Sequence, residues 1–246
     1  MSDTPRSHPR YQSLRLRDRI VAGVAEGITS PHGLIAHGRG EALDYLLGER
    51  THRFATRAIR AAAATLLLAE RPVLSVNGNA AALVPGELAR LGKRLGAPLE
   101  VNIFHASKAR ERAIRRHLLA HGADTVLMPT RRAQLDFLDS NRRFVHPQGI
   151  ARADVVFVPL EDGDRCEALR KMGKAVVTVD LNPLSRTATT ASITIVDNVA
   201  RALPLLVAQV RELRRATLRR LRLLVARYDN AKVLEAAERR IRRARL

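Results

Sequence analysis

Cysteine is all but missing from this chain: Cys166 is the single one in 246 residues. That excludes a disulfide framework and a four-cysteine zinc site. Tryptophan is absent, and three tyrosines and five phenylalanines are the only other aromatics. So few rings exclude an extended base-stacking platform. Long apolar runs are missing too. The longest, about Ala61–Ala69, is too short to cross a bilayer, and the N-terminal MSDTPRSHPR has none of the apolar core of a signal peptide. Neither GxxxxGK[ST] nor GxGxxG occurs, which argues against a P-loop kinase and a dinucleotide-dependent dehydrogenase. What remains is globular composition, 46% hydrophobic and 27% charged, long enough for a sizeable core. The expectation is a cytoplasmic protein with no membrane partner.

Acidic residues are also scarce. Lys and Arg number 43 against 24 Asp and Glu, a net charge of +19. Such a field attracts nucleic acid, acidic lipid or phosphorylated small molecules. Residues 211–246 hold 13 basic and 4 acidic residues, so +9 of the total sits there. An apolar stripe, Leu206, Val210, Leu213, Thr217, Leu221, Leu224 and Tyr228, runs through that region at helical spacing. Asp229-Asn230 breaks it, and a shorter stripe follows with Leu234, Ala237, Ile241 and Ala244. Most arginines lie off both stripes. That favours a solvated cationic face over a packed helix, with no specific nucleic acid, rather than a nucleic-acid arm. The segment after Asp229 reads as short and highly charged, so a cut there should be far milder than one before Leu206.

The chain as a whole reads as one α/β domain over 1–246, with a flexible arm over 1–12 and a C-terminal helical segment over 201–246. A helix is expected from Ser13, with Leu14, Leu16, Ile20, Val21, Val24 and Ile28 on one face. The stretch TSPHGLIAHGRGE, rich in glycine and proline, reads as a loop. Arg53–Glu70 reads as an uninterrupted Ala/Leu helix. From Pro72 strands alternate with helices. Strands are expected at Val73–Val76, Leu99–Phe104, Thr125–Met128, Ala153–Leu160, Ala175–Asp180 and Ser192–Val196. Helices are expected at Pro85–Leu95, Lys108–His121, Arg131–Leu138 and about Asp164–Met172. This alternation implies a mostly parallel, Rossmann-like sheet with helices on both faces, plus N-terminal helices and a basic C-terminal helix. Ligands of such sheets bind beyond the carboxyl ends of the strands, so the loops after Val76, Leu160, Asp180 and Val196 carry the interest.

Those loops hold suitable chemistry. In DLNPLSRTATTASITIVDN, Asp180 and Asn182 sit at a strand end where a sugar or base is held, or they cap a turn. Ser185, Arg186 and Thr187 add hydroxyls and a forked cation suited to phosphate. Asn198-Val199 opens a helix whose first N–H groups attract anions. In HGRGE two glycines flank Arg39, letting backbone and guanidinium approach a phosphate, and His37 is a candidate general base. VNGNAA places Asn77 and Asn79 at a strand-to-helix turn. EDGD, Glu161–Asp164, holds Mg²⁺, positions an amine or caps the next helix. Cys166 reads as a small buried hydrophobe, not a nucleophile.

Taken together, SHPRYQSLRLRDRIVAGVAEGI, GLIAHGRGEALDYLLGE, VLSVNGNAAALVP, ADVVFVPLEDGDRCEALRKMGK and VDLNPLSRTATTASITIVDN resemble the archaeal phosphopantothenate synthetases, the 4-phosphopantoate–β-alanine ligases. The resemblance spans about residues 7–200. It implies a homodimeric, Rossmann-type enzyme of coenzyme A synthesis that joins 4-phosphopantoate to β-alanine. ATP is consumed through an acyl-adenylate, with AMP and pyrophosphate released. It places the nucleotide on Arg17, Arg39, Asp180, Leu181, Asn182, Arg186, Thr187, Asn198 and Val199, with Mg²⁺ on the phosphates. Arg39, Arg186 and His37 are then the catalytic candidates, and no protein metal ligand is expected. His37, Asn77 and Asn79 are candidates for a cradle around the phosphate of the acid substrate, and EDGD for the β-alanine ammonium. Two alternatives stand beside this reading: another ATP-dependent ligase or kinase on the same scaffold, and a basic nucleic-acid-binding protein.

Overall fold

A computed structural model describes residues 4–105 and 107–243. Its strands, in chain order, are β1 (Pro72–Val76), β2 (Leu99–Val101), β3 (Val126–Leu127), β4 (Thr130–Gln134), β5 (Phe144–Val145), β6 (Val155–Pro159), β7 (Ala175–Val179) and β8 (Ile193–Ile195). Most of the longer ones are runs of β-branched and large apolar residues, which suit a sheet covered on both sides. Six strands form one parallel sheet in the order β3-β2-β1-β6-β7-β8. The order reverses between β1 and β6. That is the doubly wound, Rossmann-like pattern, and it opens a crevice where the two carboxyl ends diverge.

Period-two alternation sorts the strand residues between two cores. Leu74, Val76, Phe157, Val177 and Val179 face the larger one. It is closed by α3 (Arg53–Leu68), α5 (Pro85–Leu95), α6 (Lys108–Ala120) and α9 (Val199–Leu213), each contributing buried residues. Val73, Val156, Val158 and Val176 face the smaller one, under Cys166 and Leu169 of α7 (Gly163–Lys171) and under Leu135 and Val145. The expected α/β architecture is therefore present, with a helix and a hairpin sharing the second face.

Several expectations need correction. The stretch read as a loop at 29–41 is mostly helix: α2 runs Pro31–Leu47 after α1 (Tyr11–Ala25). Pro31 sits at the first helical position, where its missing N–H costs nothing. Gly33 is there for space: a Cβ would lie 2.3 Å from Asn79 Oδ1 and 2.4 Å from Thr29 Oγ1. Residues 131–138 are not a helix. Ala133 and Leu135 turn inward while Arg132 and Gln134 face solvent, and Thr130–Gln134 pairs antiparallel with β5. Good helix formers there were overridden by tertiary packing.

The C-terminal stripe is not one helix. It divides into α9 and α10 (Leu218–Ala226), because Thr217 accepts an N-cap hydrogen bond and starts a new helix, while the expected break at Asp229-Asn230 is present, with Asp229 capping α11 (Asn230–Arg242). The final segment is docked, with Val233, Leu234 and Ala237 buried, while Ala244 lies outside the described residues. On α1, Val21 is exposed although the stripe placed it inward, and Ile28 is buried beyond the helix end. Within the segment expected to be a loose arm, Met1–Asp3 lie outside the described residues. Arg10 donates to the Tyr45 hydroxyl at 2.8 Å and pairs with Glu41 at 3.3 Å.

Candidate functional site

A cleft of about 370 Å³ opens beyond the carboxyl ends of β1, β2 and β6. Its floor is Asn77 and Gly78 after β1 and Leu160 after β6. Gly78 begins α4 (Gly78–Leu83), and a Cβ there would meet the Ile28 carbonyl at 2.6 Å. Leu160 holds a left-handed backbone, φ 60°, uncommon for a branched side chain and the kind of local strain that collects at sites. Helix α2 is one wall, through His37 and Arg39, and Phe104, Arg110 and Arg142 form the opposite one.

Two asparagines tie the floor together. Asn77 donates both amide hydrogens across the switch point, to Pro159 O at 2.9 Å and Leu160 O at 3.0 Å, and its oxygen accepts from Ala80 N. Asn79 donates to Gly33 O at 2.9 Å and accepts from the Thr29 hydroxyl at 2.5 Å. Both expected substrate residues therefore border the cleft. Their geometry is that of clamps, holding β6 and α2 against β1, and Asn77 has no hydrogen left to give a ligand.

The α2 wall carries the charge. Glu41, buried, accepts from Arg17 Nε at 2.7 Å and also from Tyr45 Oη. Arg17 thus reaches the cleft edge through Glu41 and does not itself line it. Its hydrogen bond to Glu41 raises its already high pKa, while Glu41 is held below the ordinary carboxylate value because Arg17 and Tyr45 outweigh its burial. Arg39 lines the cleft and, among the described residues, meets no carboxylate within salt-bridge distance. His37 is half-buried, with Nε2 buried and without a partner. Burial pushes its pKa below the ordinary 6.5, against the pull of Glu41. The imidazole is therefore neutral at pH 7 and can accept a proton.

That depression has a thermodynamic sign. The unfolded chain takes up this proton at a higher pH than the folded one, so the stabilisation is present above about pH 6.5 and is lost as pH falls through the folded value. Wild type should lose more stability than His37→Gln between about pH 7 and 5, read from urea midpoints. Equal losses would show that His37 titrates as a surface histidine.

Beneath the cleft the EDGD loop is spent on arginines. Glu161, its side chain wholly buried, pairs with Arg142 at 2.6 Å and with Arg165, which is 1% exposed. Arg165 also donates to Ser75 Oγ at 3.0 Å. Asp162 meets Arg142, and Asp164 meets Arg186. Asp162 occupies the N-cap position of α7, yet its side chain makes no cap hydrogen bond. The capping role expected of EDGD is replaced by charge compensation. No group of three or more His, Cys, Asp or Glu able to hold a metal occurs among the described residues. Cys166 is buried and its thiol is pushed up to about 12, as befits a small buried side chain.

The DLN segment divides. Leu181, Asn198 and Val199 border the cleft with Arg39, His37, Asn77 and Asn79. Asp180 lies beneath, accepting from Asn182 N at 2.9 Å and Ser185 Oγ at 2.5 Å. Burial raises its pKa, partly offset by those two bonds. Asn182 accepts from Leu184 N, and Thr187 donates to Glu161 O at 2.9 Å from a buried position. Arg186 starts α8 (Arg186–Thr190), is 60% exposed and faces Asp164, outside the cleft lining. Asn198 caps α9 through Ala200 N and donates to Asp44 at 2.9 Å.

Sequence reading missed Arg110, Arg142 and Glu41 as cleft residues. Arg142 had no local signal, because its partners Asn102 and Glu161 are remote in the chain. Glu41 could have been found from its i, i+4 spacing to His37 once 31–47 was read as a helix.

A family model described as phosphopantothenate/pantothenate synthetase matches residues 54–244. The chain is 53% identical over 237 residues to the 4-phosphopantoate–beta-alanine ligase of Thermococcus kodakarensis, covering 95% of this chain and 90% of that protein. It is 52% identical to the protein of the same name from Methanosarcina mazei, covering 96% and 93%.

Proposed function

The chain belongs to the phosphopantothenate/pantothenate synthetase family, and from that premise we propose that it condenses 4-phosphopantoate with β-alanine to 4′-phosphopantothenate. The observation that carries this is near-full-length identity above one half to ligases bearing that substrate pair in their names. The finer reading is an ATP-dependent reaction through an acyl-adenylate. The substrate carboxylate attacks the α-phosphorus and pyrophosphate leaves. The free amine of β-alanine then attacks the acyl carbon and AMP leaves.

In this reading the protein supplies position and charge. An anion attacking an anion is slow, and Arg39, unpaired on the cleft wall, offsets the repulsion. Neutral His37 takes the proton that β-alanine must lose to become nucleophilic. Leu181, Asn198 and Val199 border the nucleotide end. Mg²⁺ would be carried on the phosphate oxygens and water, a mode that requires no protein cage. The family resemblance further implies a homodimer in the cytoplasm, the first part of which sedimentation velocity tests.

ATP, Mg²⁺ and 4-phosphopantoate without β-alanine should support exchange of labelled pyrophosphate into ATP. No exchange, with ADP and phosphate formed when all three substrates are present, would replace the adenylate by an acyl-phosphate. Arg39→Ala should lower the exchange rate roughly tenfold to a hundredfold, the effect of one charge-assisted contact. An unchanged rate would remove Arg39 from the nucleotide site.

A further inference from the structure

We propose that Arg142 and Arg110 form a cradle for the 4-phosphate of the acid substrate, at the carboxyl end of β2. This rests on the reading that the acid is 4-phosphopantoate. Arg142 is 4% exposed and held on two sides. Its Nε donates to Asn102 Oδ1 at 2.9 Å, and the Asn102 amide donates back to Arg142 O at 3.0 Å. Its Nη1 faces Glu161 and Asp162. Its Nη2 is buried, has no partner, and belongs to a residue lining the cleft. Arg110 donates Nη1 to His105 O at 2.8 Å, while its Nε is buried without a partner beside the same cleft. Buried charged N–H groups are costly to leave unmet, so two of them on residues lining one cavity suit an anion that is not part of the protein.

Several features select a phosphate. Its oxygens can take one N–H from each guanidinium, and arginine forks suit that geometry. Glu161, Asp162 and Asn102 fix the Arg142 plane, so little side-chain freedom is lost on binding. His32, from the α2 wall, stacks on His105 at 4.4 Å and closes the cleft rim beside Arg110. Position agrees as well. β2 and β7 are three strand steps apart in the sheet order, roughly 14 Å at 4.8 Å per step. A phosphate held at β2 points the acid's carboxylate toward the β7–β8 side, where Leu181, Asn198 and Val199 border the cleft.

The test compares 4-phosphopantoate with unphosphorylated pantoate, by calorimetry and by steady-state kinetics, in wild type, Arg110→Gln and Arg142→Gln. Among the described residues the Arg110 side chain donates only to a loop carbonyl, so its variant should fold even if Arg142→Gln, which strips a partner from Glu161, does not. Wild type should bind 4-phosphopantoate more tightly than pantoate. Each variant should raise Kd and KM for 4-phosphopantoate roughly tenfold to a hundredfold. Pantoate binding and the KM values for ATP and β-alanine should stay put. A raised KM for β-alanine instead would assign the arginines to the amino-acid carboxylate and overturn the cradle, as would selectivity unchanged in Arg110→Gln. Selective binding that is erased in the variants, in a wild-type protein that forms no 4′-phosphopantothenate, would keep the cradle and overturn the reaction.

Discussion

Glu161→Ala should lower the melting temperature of this chain by roughly 10 °C. Arg165, on α7, lies wholly inside, with Glu161 as its only ion-pair partner among the described residues. Burial depresses its pKa, and Glu161 is the main opposing influence. Removing one partner of a buried pair leaves an uncompensated charge, a loss of about 3–5 kcal/mol. In a domain of this size each kcal/mol moves the midpoint by about 2–4 °C. The effect is larger than loss of one contact because Glu161 also compensates Arg142. The double variant Glu161→Leu with Arg165→Met should recover much of the loss, since it removes charge from both sides of the main pair and keeps the volume apolar. Calorimetric scans of the three proteins decide the matter. A single variant melting within about 3 °C of wild type would mean that water reaches Arg165.

The second large effect concerns the end of the chain. A stop codon after Asp229 removes α11, with the buried Val233, Leu234 and Ala237. Two such branched side chains alone account for roughly 3–6 kcal/mol. Asn230 goes as well. It donates to Ala188 O at 2.9 Å and Ala191 O at 3.3 Å, and accepts from Thr194 N at 2.8 Å. The truncated chain should unfold at a markedly lower urea concentration than the intact one. A change of under about 1 kcal/mol by linear extrapolation would restore the view that this segment is a dispensable tail.

That view came from reading the segment alone, and the docked helix shows where sequence reasoning stops. Strand positions and the parallel sheet were legible because valine-rich runs such as Val155–Val158 separate helices at regular intervals. Helix α11 was also legible as a helix. Its docking was not, because the helix packs against α2, α3, α8 and β8, and no pattern within thirteen residues records a distant surface. Helix α2 failed for another reason. Glycine there satisfies a close approach to Asn79, a tertiary demand that reads locally as a loop. The candidate site was half legible. Strand-end loops pointed to Asn77, Leu181 and Asn198, but Arg142 and Arg110 became visible only once β2 was placed beside β1.

The caps on the outer strands bear on how copies of this chain can meet. A sheet edge is normally a row of free N–H and C=O groups that invites another strand. Here Tyr228 and Asn230 reach the main chain of Thr194 on β8, at 3.3 Å and 2.8 Å from its nitrogen. At the opposite edge β3 is only two residues long, and Arg115 Nε donates to the Val126 carbonyl at 3.4 Å. Side chains stand where a neighbouring backbone would hydrogen-bond. Sheet-to-sheet growth is thereby blocked at both ends, a safeguard against fibrous aggregation in a chain whose central strands are almost purely aliphatic. Ordered assembly is thereby steered away from the edges of the six-stranded sheet.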